Sequence, residues 1–222
     1  MTIQERLFAL RDEKYADFTS RLIPNIDPGR IVGVRSPQMR QLARELRGTA
    51  EAEAFVASLP HRYLEEYGLH AALLEGIKDY GTALREVERM LPYVDNWATC
   101  DTLSPRVFAR HTAELLPHVC RWMGAGHEYT CRFGIGMLMR YYLEDGAFCA
   151  EHLQWVANIR REDYYVRMMQ AWNFATALAK QWEATLPVVE ALPDWVRRKS
   201  IQKACESRRV DDNRKALLRA LR

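Results

Sequence analysis

Trp97 and Asp101 stand four residues apart in the segment Tyr93-Val94-Asp95-Asn96-Trp97-Ala98-Thr99-Cys100-Asp101. If that segment is a helix beginning at Asn96, positions i and i+4 share one face, one turn apart. An aromatic plane and an anion then project side by side from a rigid rod. Taken alone, the same pattern fits a helix N-terminus with a buried tryptophan and a solvated aspartate favoured by the helix dipole. Further along come Arg132 and Arg140, then Arg167 and Trp172, then a basic run of Arg197, Arg198, Lys199, Lys203, Arg208 and Arg209. Arginines grip phosphates through bidentate, charge-assisted hydrogen bonds. A tryptophan face attracts a cation or stacks on a base, at ~0.5–2 kcal/mol. A carboxylate repels phosphate, so beside such residues it makes sense where positive charge develops during a reaction. Hydrolysis of an N-glycosidic bond is one such reaction, because the sugar becomes oxocarbenium-like as the base departs. Nearby tryptophans favour a base that is already cationic, such as an N3- or N7-alkylated purine. That base is also a good leaving group and needs no general acid.

These side chains need elements to hold them. Strand signals are nearly absent: there is no alternating β-branched run and no Asn-Gly hairpin turn. Helix signals recur throughout. Residues 2–22 are amphipathic, and Pro24 to Gly33 reads as a loop with two prolines and two glycines. Ser36-Pro37 opens the next helix and Gly48 closes it. Further helices are expected at about 50–58, 63–79, 82–92, 96–110, 112–123, 128–142, 146–158, 163–180, 183–191, 194–206 and 211–221. They pair, and the second members start near 64, 97, 128, 163 and 195. A helix pair recurring at this interval is the signature of an α-solenoid. The fold expected is all-α, with about six HEAT-like antiparallel helix pairs curved around a concave groove; an irregular helical bundle is the alternative. No Gly-, Ser- or Pro-rich linker interrupts the chain, so residues 1–222 read as a single domain. In a solenoid, residues on successive second helices face one groove although they lie ~30–35 residues apart in sequence.

Hydrophobic residues make up 48% of the 222 and charged residues 27%, enough for a sizeable core and too apolar for disorder. The net charge of +3 hides an asymmetry. From Asp194 to Arg222, ten Lys or Arg face four Asp or Glu, a net of +6 against −3 for the rest. A basic end on a mildly acidic body suits an anionic partner held on one side. The five cysteines (Cys100, Cys120, Cys131, Cys149 and Cys205) form no C-x-x-C and point to a reducing cytoplasm. Cys100 falls on the opposite face from Asp101 and reads as core. The six histidines show no H-E-x-x-H, so no metal is expected. No signal peptide is expected either, and no apolar stretch nears the ~20 residues that cross a bilayer. Trp122, Trp155, Trp182 and Trp195 read as packing between helix layers. Gly134 and Gly136, inside a helical pattern, mark close packing.

Across nearly its whole length the chain resembles the bacterial DNA alkylation repair (AlkD-like) glycosylases. The resemblance rests on Gly33-Val-Arg-Ser-Pro-Gln-Met-Arg40, on Asn96-Trp-Ala-Thr-Cys-Asp-Thr-Leu-Ser-Pro105, on Cys131-Arg132-Phe133, on Ala171-Trp172 and on Leu192 to Cys205. It implies a HEAT-like fold that grips duplex DNA containing alkylated bases. It further implies excision of cationic N3- and N7-alkylpurines, with the lesion left stacked, by a monomeric monofunctional glycosylase without metal or cofactor. Asp101 would be the catalytic carboxylate, Trp97 and Trp172 would contact the lesion nucleotide's backbone and sugar, and Arg132 would clamp a phosphate. Arg197, Arg198, Lys199, Arg208 and Arg209 would add DNA contacts. Two positions depart from the family pattern: Asn96 stands where a tryptophan is expected, and Ala175 where an arginine is expected. They favour, as the alternative, a non-catalytic protein that binds damaged or structured DNA. A protein-interaction scaffold would leave the tryptophans and arginine unexplained.

Overall fold

The structure, a computed structural model, describes residues 1–221. Among them it is all-helical, with fourteen α-helices, three short 3₁₀ turns and no strand, consistent with an α-solenoid. The chain divides into two compact units, residues 1–111 and residue 112 onward. No described helix is long and apolar enough to cross a membrane.

The first unit contains α1 (Ile3–Ala9), α2 (Glu13–Leu22), α3 (Ser36–Leu46), α4 (Ala50–Ala57), α5 (Leu64–Leu74), α6 (Tyr80–Met90) and α7 (Trp97–Thr102). Helix α5 is its axis: every residue but Gly68 is buried, and it packs against α1, α3, α4, α6 and α7. The single helix expected over 2–22 is two. Asp12 breaks it, because its carboxylate accepts the Tyr15 N–H at 3.0 Å and so starts α2 afresh. The expected helix over 96–110 also stops early, at Thr102. Pro105 has no N–H and pushes the residue before it to extended backbone, and a 3₁₀ turn over Arg106–Arg110 follows.

The second unit contains α8 (Thr112–Met123), α9 (Glu128–Tyr141), α10 (Ala150–Ala157), α11 (Tyr164–Lys180), α12 (Trp182–Glu190), α13 (Asp194–Glu206) and α14 (Asp212–Ala220). Helix α11 lies between α9 and α13 in one layer, while α12 packs on α10, α11 and α13 from the other. Second helices begin at 64, 97, 128, 164 and 194, within one residue of the expected starts. Gly134 is the reason α8 and α9 approach closely. A Cβ there would meet the Met123 backbone nitrogen at 2.6 Å.

Candidate functional site

In the first unit the site begins at a helix cap. The Asn96 side-chain oxygen accepts the Thr99 N–H at 2.8 Å, and its amide donates to the Thr99 hydroxyl at 3.0 Å and to Asp95 at 3.1 Å. At 1% exposure Asn96 is wholly committed to starting α7 and lines no surface. Trp97 follows, partly buried. Its indole N–H donates to the Leu22 carbonyl at 3.2 Å, and its ring packs on Ile23, Ile26, Ile31 and Leu64. One turn on, Asp101 is half-buried on the same helix, and Cys100 between them is core.

The loop from Pro24 to Gly33 turns out to be the bed of this helix. Asn25 donates to the Asp95 carbonyl at 2.7 Å, and Arg30 pairs with the Asp95 carboxylate at 2.6 Å. The far end of the loop is pinned by the buried Glu65 of α5, whose carboxylate accepts the N–H groups of Val32 at 2.8 Å and Gly33 at 2.7 Å. Gly33 has φ +92°, and a Cβ there would strike the Asp12 carbonyl at 2.4 Å, so only glycine fits. Glu65, Arg30 and Asp95 escaped sequence reasoning. Their ties run 33 and 65 residues along the chain, and no local pattern marks them.

In the second unit, Trp172 of α11 is 42% exposed, and the Lys203 ammonium of α13 lies 5.8 Å from its ring centroid. Lys199, one turn before Lys203, meets only the Gln202 side chain, at 3.1 Å. Among the described residues neither lysine has a carboxylate within ion-pair distance. Arg197 and Arg198 differ: both are tied to Asp194, at 2.8 and 3.1 Å. Arg208 and Arg209 are exposed. Ion pairing therefore sorts the basic run into cations held by Asp194 and cations open to an anion. Arg132 lies elsewhere than expected. It is only 5% exposed, and its guanidinium donates to the Tyr165 carbonyl at 2.7 Å, which ties α9 to the first turn of α11. Ala175 is also buried, at 5%, so the arginine expected there would enter the core instead of adding to a lining.

At the start of α11 stands a further cluster. Tyr164 is 54% exposed and meets Tyr165 and Trp195 edge-on, at centroid distances of 5.2 and 6.0 Å. Arg167 covers the Trp195 ring at 4.7 Å. Trp122 and Trp182 are buried as expected, whereas Trp195 is half-exposed within this cluster.

A family model described as DNA alkylation repair enzyme matches residues 3–168. The chain belongs to that family. The match spans α7 with Trp97 and Asp101, and α9 with Arg132; Trp172 and the basic run lie beyond it. No curated protein matches the chain. Membership gives a role in the repair of alkylated DNA.

Proposed function

We propose that this repair enzyme is a monofunctional DNA glycosylase that releases N3- and N7-alkylated purines from duplex DNA. The observation that carries the reading is α7. A buried asparagine caps it, a tryptophan is locked beside it, and a half-open carboxylate follows one turn later on the same short rod. The bond broken is that between sugar C1′ and the purine nitrogen. The electron pair leaves with the base and neutralises its positive charge, and the sugar is left oxocarbenium-like. Asp101 stabilises that cation and orients a water molecule, whose oxygen bonds to C1′ while its proton passes to the carboxylate or to solvent. The anchored Trp97 holds the sugar against the carboxylate, because its ring is fixed by a hydrogen bond and an apolar bed before substrate arrives. In the second unit, Trp172 with Lys203 and Lys199 is suited to a strand backbone, one contact aromatic and two cationic. Arg208 and Arg209 add charge there, and Arg197 and Arg198 do so once phosphate displaces Asp194.

The test is to incubate the protein with methylated duplex DNA and to quantify free N3- and N7-methylpurines by chromatography. Release by wild type and its loss in Asp101→Asn are expected; equal release by both would sink the carboxylate's role. One observation favours DNA binding without excision: Asn96 and Ala175, where a tryptophan and an arginine are expected, are both buried and add nothing to a lining. That reading requires no base release by wild type.

A further inference from the structure

Tyr164, Met168 and Trp172 follow one another at four-residue steps along α11, and Trp195, Lys199 and Lys203 do the same along α13. Two contacts fix how these rows lie. Tyr164 meets Trp195 at 6.0 Å, and Lys203 meets Trp172 at 5.8 Å. Both pairs are 31 residues apart, so the helices run side by side in the same direction and the rows stay in step. Eight helical residues rise about 12 Å, which is the distance from the Tyr164 end of the double row to the Trp172 end. The two lysines, one turn or about 6 Å apart, match the spacing of successive phosphates on a strand.

Tyr164 is not an ordinary exposed tyrosine. Two rings meet it nearly at right angles, Tyr165 at 83° and Trp195 at 72°. Trp195 is itself braced by Arg167, whose other partner is Glu162 at 2.8 Å. A ring held in this way loses little further freedom when a ligand stacks on it, which is what a stacking platform needs. Aromatic platforms beside unpaired lysines are how proteins hold unpaired nucleotides.

We propose that Tyr164 is a second nucleotide subsite, which stacks an unpaired base of the DNA strand whose backbone lies on Lys199, Lys203 and Trp172. The proposal rests on the chain's reading as a DNA-binding repair enzyme and adds a preference for DNA with a short unpaired stretch. Bases inside an intact duplex keep their faces stacked on one another and leave Tyr164 unused.

The experiment measures the binding of full-length protein to an intact duplex and to the same duplex with a two-nucleotide unpaired stretch in one strand, by fluorescence anisotropy at one salt concentration. Wild type should bind the second about tenfold tighter. Tyr164→Ser should remove that preference and leave intact-duplex affinity unchanged, while Tyr164→Phe should keep it. Thermal melting establishes that both variants are folded. If Tyr164→Ser binds both DNAs as wild type does, or weakens both equally, the subsite is overturned and the DNA-binding reading stands. If wild type binds neither DNA, the DNA-binding reading itself falls and the subsite falls with it.

Discussion

Two residues that looked alike in the sequence have opposite fates. Trp97 and Arg132 both read as DNA contacts, and both are held by main-chain carbonyls, of Leu22 and Tyr165. For Trp97 the hydrogen bond leaves the indole partly open on α7. For Arg132 it draws the guanidinium inward. Replacing Arg132 with alanine should therefore destabilise the second unit by about 1–3 kcal/mol, because it removes the hydrogen bond that ties α9 to α11 and opens space where a 5% exposed side chain packs. Chemical denaturation reads this directly; unchanged stability with weakened DNA binding would restore the clamp. Trp97→Ala should cost about 2 kcal/mol, less than the ~3–5 kcal/mol of a fully buried large aromatic, because the ring is only partly buried. Asn96 was legible as a helix start from its side chain alone. That it is fully spent on capping was not, since the cap's burial comes from contacts distant in sequence.

Helix positions were the most legible feature, because the 3.6-residue apolar period and the ~31–35-residue recurrence both come from packing every repeat alike. The misses lie at breaks. Asp12 and Pro105 each stop a helix that periodicity alone would continue. Gly134 was legible as a close-packing residue, and Gly134→Ala should lower stability by about 1–3 kcal/mol, measured by melting, as α8 and α9 are forced apart. Between α4 and α5 lies a feature that the sequence hid altogether. His61 and His70 share a hydrogen bond of 2.9 Å, with Phe55 stacked on His61 at 4.5 Å. Burial, then the neighbouring His61 and Arg89, pushes His70 down to about 3, and burial lowers His61 as well. The unfolded chain takes up a proton at His70 below about pH 6.5, whereas the folded chain resists until about 3. The stability contributed by the neutral His70 is therefore intact above about 6.5 and is lost as pH falls towards 3, and the lowered His61 acts in the same direction. At pH 5 the loss at His70 is about 2 kcal/mol. A melting temperature that falls between pH 7 and pH 5, and falls less in His70→Phe, is expected.

At the scale of the whole chain, net charge said little and its distribution said more. Among the described residues from Asp194 onward, the cations divide into Arg197, Arg198, Arg214 and Lys215, held by carboxylates, and the open Lys199, Lys203, Arg208, Arg209 and Arg219. DNA affinity should accordingly fall with salt, and Lys199→Gln should reduce the slope of log affinity against log salt by about 0.9, as befits one phosphate contact. An unchanged slope would remove Lys199 from the interface. The family could be read from motifs, and the residues 3–168 that match it end before Trp172. The proposed excision thus rests most heavily on Asp101. Single-turnover excision from a duplex carrying one 7-methylguanine tests it most directly, with DNA affinity measured alongside. The account predicts that wild type yields an abasic site and free base, while Asp101→Asn binds equally well and excises at least a hundredfold more slowly, on the order of what one electrostatic stabiliser supplies. Equal rates in the two proteins, or no excision by wild type, would contradict it.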